Sequence, residues 1–206
     1  AARMLAASGW RLEALDLREN EDLGAAGVAA LAASPAFALR CLDLQSCHLD
    51  AAALLNIANA SWPLEELELW HNDFSGATAG PALAALSRHA GLRRLSVDSC
   101  RLSAASFKAL VEAAWPALTY LDASQAAVAF DGPGALGAAA FAGFPALKEL
   151  DLQGVPLGDA GAALLASRRW ARLRKLTLAG CSLSDVGVAA LARGAWPALE
   201  WLILRA

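Results

Sequence analysis

A chain of 206 residues, 57% hydrophobic and 18% charged, has enough apolar material for a sizeable core and is too apolar to stay disordered. A net charge of −3 with no block of lysine and arginine argues against nucleic acid as a partner. Charges interrupt the apolar stretches well before the ~20 residues of a membrane-spanning helix, and the opening AARMLAASGW lacks the basic-then-apolar layout of a signal peptide.

Taken in chain order, Met4-Leu5-Ala6-Ala7 reads as a short helix, with Trp10 after it. A pattern L-x-x-L-x-L then begins at Leu12-Leu15-Leu17 and returns as Leu39-Leu42-Leu44, Leu64-Leu67-Leu69 and Leu92-Leu95-Val97. It continues as Leu118-Leu121-Ala123, Leu147-Leu150-Leu152, Leu173-Leu176-Leu178 and Leu199-Leu202-Leu204, with successive starts 25–29 residues apart. Alternation at the second and third positions predicts a short strand with one buried face. Three residues further on stands Asn20, Cys47, Asn72, Cys100 or Cys181, replaced by Ala126 and Val155 in the fifth and sixth repeats. These side chains are expected to turn inward, where they meet backbone groups that the turn leaves unpaired.

An apolar residue follows (Leu23, Leu49, Phe74, Leu102, Val128, Leu157, Leu183), and then alanine-rich helical stretches such as Gly27–Leu31, Ala162–Leu165 and Gly187–Leu191. Trp62-Pro63, Trp115-Pro116, Phe144-Pro145 and Trp196-Pro197 mark where helix gives way to extended chain. Trp10, Phe37 and Trp170 hold the same place without proline, and His89 takes it in the fourth repeat. This column is expected to plug the core beneath the turn. A strand and a helix in under 30 residues cannot bury their apolar faces alone, so neighbours must stack. The expected fold is therefore α/β: a curved solenoid with a parallel sheet on its concave face and helices on its convex face. Residues 1–206 read as a single array of about eight repeats, a segment of a longer protein.

The segments Leu157-Gly158-Asp159-Ala160-Gly161 and Leu183-Ser184-Asp185-Val186-Gly187 resemble the ribonuclease-inhibitor class of leucine-rich repeats. The Cys181 repeat also resembles the cysteine-containing class of F-box proteins. The resemblance spans the chain and implies a noncatalytic protein-interaction module or scaffold. The alternatives it carries are the substrate-recognition part of an F-box-type ubiquitin ligase and a small-GTPase regulator, although no F-box segment is present. The fifth repeat departs most, with Ala123, Ala126 and a Gly-rich connection, and should be the least regular.

Enzymatic signals do not converge. Gly132-Pro133-Gly134-Ala135-Leu136-Gly137 spells G-x-G-x-x-G, but Pro133 and the repeat context read as loop. No C-x-x-C occurs and the three histidines are scattered, so neither metal nor cofactor is expected. Cys47, Cys100 and Cys181 share one column; strands two apart lie about 10 Å from each other, beyond disulfide reach, so these thiols should be buried and reduced. Cys41 is expected to face solvent. The thiols suggest an intracellular, cytoplasmic setting. The sequon Asn59-Ala60-Ser61 reads as chance.

The binding surface is expected on the concave face. Its three columns contain the candidates Asp43, Glu66, Glu68, Trp70, Arg94, Asp98, Tyr120, Asp122, Glu149, Asp151 and Trp201. Aromatic residues among charges suit contact with another protein, here one with a basic surface. Neighbouring subunits covering the uncapped ends are the other partners this reading expects.

Overall fold

The computed structural model describes residues 2–126 and 136–205. A helix, α1 (Ala2–Ala6), precedes strand β1 (Ala14–Asp16); the chain then alternates α2 (Gly24–Ala32), β2 (Cys41–Asp43), α3 (Ala51–Asn59), β3 (Glu66–Glu68), α4 (Ala79–Leu86), β4 (Arg94–Ser96), α5 (Ala104–Glu112) and β5 (Tyr120–Asp122). Strand β6 (Glu149–Asp151) follows, then α6 (Gly158–Ala166), β7 (Lys175–Thr177), α7 (Asp185–Ala192) and β8 (Trp201–Ile203). All eight strands form one parallel sheet in sequence order. The middle leucines Leu15, Leu42, Leu67, Leu95, Leu121, Leu150, Leu176 and Leu202 stand opposite one another from strand to strand. This is the solenoid that the repeat predicts, with the sheet along the concave side and the helices along the other.

The core is built from the repeated positions. Within the array Leu42, Leu67, Leu95, Leu121, Leu150 and Leu176 are fully buried, each contributing about 1.5–3 kcal/mol over an exposed position. After each third apolar residue the chain turns through a left-handed conformation at Glu19, Ser46, His71, Ser99, Gln125, Gly154 and Gly180. Their amides still donate to the next repeat, as Ser46 N–H does to the Trp70 carbonyl at 3.1 Å, so the ladder runs on past the strand ends.

One residue later lies the Asn/Cys column. Asn72 Nδ2 donates to the carbonyls of Leu44 (2.9 Å) and Leu69 (2.7 Å), and its Oδ1 accepts from the amides of Cys47 (3.1 Å) and Leu49 (2.9 Å). The cysteines do part of the same work. Their Sγ atoms donate to a carbonyl of the preceding repeat: Cys47 to Leu17 (3.0 Å), Cys100 to Leu69 (3.1 Å) and Cys181 to Leu152 (3.0 Å). In the cysteine repeats the following residue, His48, Arg101 or Ser182, is also left-handed, whereas the residues after Asn20 and Asn72 are not. All four thiols are free; Cys47, Cys100 and Cys181 are buried and Cys41 is half-buried rather than open to solvent.

The aromatic column has a second duty. Trp115, Trp170 and Trp196 donate their indole N–H to the carbonyls of Leu110, Leu165 and Leu191 at 2.8–2.9 Å, closing the last turn of the preceding helix. His89 does this across repeats, placing Nε2 2.9 Å from the Ile57 carbonyl and Nδ1 3.1 Å from that of Trp62.

Two expectations at the first repeat need correction. Trp10 is 58% exposed and plugs nothing, because no described element lies over it. Asn20 is exposed rather than turned into a core, although its Nδ2 still donates to the Leu17 and Arg18 carbonyls. In the fifth repeat, expected to be the least regular, the described residues 136–142 form turns, and among the described helices α5 and α6 do not touch. The expected Val128 position and most of the G-x-G-x-x-G run lie outside the described residues.

Candidate protein-binding face

The pleat places every second strand residue on the inner face. Glu66, Arg94, Tyr120, Glu149, Lys175 and Trp201 align in one row across β3–β8, and Glu68, Ser96, Asp122 and Asp151 in the next. Trp70, Asp98 and Ser124 follow two residues beyond their strands, as the bonds from His71 N–H to the Asp98 carbonyl and from Ser99 N–H to the Ser124 carbonyl show.

Much of the acidic row has a backbone role. Asp16, Asp43, Asp122 and Asp151 each accept the amide two residues on, from Arg18, Gln45, Ser124 and Gln153, at 3.0–3.1 Å. A carboxylate one methylene longer does not repeat this at Glu68. It instead meets Arg94 Nε at 2.5 Å. The sequence pattern offered Asp43, Asp122 and Asp151 as binding residues and did not show the caps. The signal was present as an aspartate held two residues before the same turn in four repeats.

Arg94 and Tyr120 are largely spent on each other. The Arg94 guanidinium lies 3.7 Å over the Tyr120 ring, a cation–π contact, while its Nε serves Glu68. The Tyr120 hydroxyl points at Asp122 Oδ2, 3.5 Å away. The Ser124 hydroxyl lies between two carboxylates, 2.6 Å from Asp122 Oδ1 and 2.9 Å from Asp98 Oδ1. Trp70 is half-buried, its ring edge-on to His71 at 4.9 Å between centroids. The structure therefore gathers Glu68, Trp70, Arg94, Asp98, Tyr120 and Asp122 at the middle of the sheet. Asp43 flanks them on β2, Glu149 and Asp151 lie on β6, and Trp201, 65% exposed, stands apart on β8.

Burial sets the electrostatics. It pushes the carboxyls of Asp43, Glu68 and Asp151 above the ordinary range, and at Glu68 this outweighs the nearby Arg94. Asp16 goes the other way, held down by its hydrogen bonds from Arg18. Burial also raises the thiols, Cys41 among them, with Cys100 pushed up to about 12 and Cys181 to about 11. Among the described residues no group of His, Cys, Asp and Glu is placed to hold a metal ion, and no helix is long and apolar enough to cross a membrane.

This geometry is that of a leucine-rich-repeat solenoid. The leucine-rich-repeat family profile matches residues 12–32 and 173–192. Among solved structures, the internalin inlF of Listeria monocytogenes str. 4b F2365 superposes with a TM-score of 0.57 at 16% identity, over 92% of this chain and 46% of that one. TLR13, solved in complex with ssRNA13, gives a TM-score of 0.48 at 20% identity, over 97% of this chain and 33% of that one. The chain thus spans less than half the length of either protein. No curated protein matches it.

Proposed function

We propose that this chain is a noncatalytic protein-interaction module, a scaffold whose inner sheet face holds another protein around Trp70. The observation that carries this reading is a half-buried tryptophan on a sheet face among carboxylates that lack ion-pair partners. A purely solvated face has no use for a large aromatic ring there, whereas a contact site gains from one. Asp98 and Asp122 beside it are in no ion pair among the described residues. They would draw a basic partner in, and Trp70 would set how long it stays. Arg94 and Tyr120 hold the floor of this patch rigid, so that little ordering is needed on binding. The unpaired buried thiols support an intracellular, cytoplasmic setting.

Replacing Trp70 by alanine should cost about 2 kcal/mol or more of binding to the purified partner, read by calorimetry, with the fold unchanged because the ring lies outside the core. Lys108→Ala, on α5 of the opposite layer, is the control. Unaltered binding by a folded Trp70 variant would move the site to the helices or to the open ends.

A further inference from the structure

The inner face is divided by charge, with the boundary between β6 and β7. On β1–β6 its two cations are already engaged: Arg18 pairs with Asp16 and Asp43, and Arg94 with Glu68. The carboxylates Glu66, Asp98, Asp122, Glu149 and Asp151 have no ion-pair partner among the described residues. Beyond the boundary the columns contain no acid. They read Lys175 and Thr177 on β7, then Trp201 and Ile203 on β8 with Arg205 just after it. Lys175 is in no ion pair among the described residues, and Trp201 stands beside it in register. Each half thus offers an aromatic ring, Trp70 or Trp201, among charges that, where they are in no ion pair among the described residues, are of one sign.

The same division runs through the chain as a whole. Residues 1–152 carry ten basic and seventeen acidic side chains, and residues 153–206 carry seven basic and three acidic. A partner with a uniformly basic surface would be attracted by the first six strands and repelled by the last two.

We infer that the inner face takes one protein segment of divided charge, lying across the strands with a basic stretch on β3–β5 and an acidic stretch on β7–β8. This rests on the reading of the inner face as the binding surface and adds the partner's charge order and its direction on the sheet. From β4 to β8 are four strand spacings of about 4.8 Å, roughly 19 Å along the sheet. An extended chain covers that in about six residues. A segment with its two charge blocks centred about six residues apart places both at once; an alternating segment of the same composition sets half of its charges against like charges.

The probe is a synthetic peptide with a lysine and arginine block around one leucine and a glutamate block around another, block centres about six residues apart. Its comparison is an alternating peptide of identical composition. The block peptide should bind at least tenfold more tightly in low salt, and most of that preference should vanish in high salt. A paramagnetic label at its basic end should broaden the indole N–H resonance of Trp70, and a label at its acidic end that of Trp201. Lys175→Glu should remove the second effect and keep the first. Equal affinity of the two peptides, or either label acting on the wrong tryptophan or on neither, overturns the inference. So does salt-sensitive self-association in sedimentation that competes with the peptide, which would make the occupant a second copy of the chain. Should Trp70→Ala weaken binding of the natural partner while the peptides are not told apart, the charge order is wrong and the binding face stands. If Trp70→Ala leaves that partner's binding intact, the face itself is wrong.

Discussion

The second to fourth repeats and the fifth solve the same packing problem with different parts. From β2 to β4 a hydrogen-bonding spine runs unbroken through Cys47, Asn72 and Cys100, each tying its turn to a carbonyl of the preceding repeat. On the outside, α2 to α5 pack in an unbroken row. At β5 the spine stops, because Ala126 and then Val155 have no side-chain donor, and it resumes only at Cys181. The described helices α5 and α6 do not touch there, yet β5 and β6 pair in full register. The sheet ladder needs only backbone and a buried leucine, so it survives the loss of the spine.

The outer layer is closed there by substitutes. Arg168, just after α6, donates from Nε to the Ala140 carbonyl (2.9 Å) and from a terminal nitrogen to that of Ala138 (2.5 Å). Phe141, in a left-handed conformation, is buried with its ring 6.4 Å from that of Trp170, which stacks on Trp196 at 6.3 Å. Gly143 lies where any Cβ would collide with the Ala113 carbonyl, so the turn sits directly on the end of α5.

The contrast can be broken at the spine first. Asn72→Ala leaves two buried amides and the Leu44 carbonyl without their side-chain partner, while the Leu69 carbonyl keeps only the Cys100 thiol, and should cost about 3 kcal/mol or more, measured by urea unfolding. A cost below about 1 kcal/mol would mean that the turns hold themselves. Next comes the substitute closure: Arg168→Ala should cost about 1–2 kcal/mol and speed amide exchange in residues 136–142 more than in α3 or α4. Uniform loosening along the array would show that Arg168 does not serve the fifth repeat in particular.

Cys100→Ala sharpens the comparison of thiol with amide. It removes one weak donor, so about 1 kcal/mol is expected, well under the Asn72 value. In the native protein an alkylating reagent should reach Cys41 first. Cys100 and Cys181, buried and with thiols pushed up to about 12 and about 11, hold almost no thiolate at neutral pH and should label only on unfolding.

The smallest effect should come from Asp151→Asn. The amide oxygen can still accept from Gln153 N–H, while the desolvated charge is gone. Because burial raises this carboxyl in the folded state, its ionisation disfavours folding at neutral pH, and the stability tied to its protonated form is present at low pH and lost as pH rises through the folded value. The variant should match or exceed the natural stability at neutral pH, and its advantage should shrink as the medium is acidified through the carboxyl range. A variant that is less stable at neutral pH by thermal melting would show the charge to be needed.

The strands, their order and their register were legible in the sequence, because the leucine spacing is local and a pleated strand sends every second side chain inward. The buried cysteines followed from the same spacing. Only stacking decided which partner each side chain found. Apart from the Leu69 carbonyl beside Asn72, the partners of Asn72, Cys100, Arg94 and Arg168 lie on neighbouring repeats, far away in sequence, and nothing local announces them. Stacking likewise made Arg94 the cover of Tyr120, turned four aspartates into backbone caps and left Trp10 exposed in the first repeat. Periodicity determines which face a residue takes. What it meets there depends on the repeat beside it, and so on the tertiary structure.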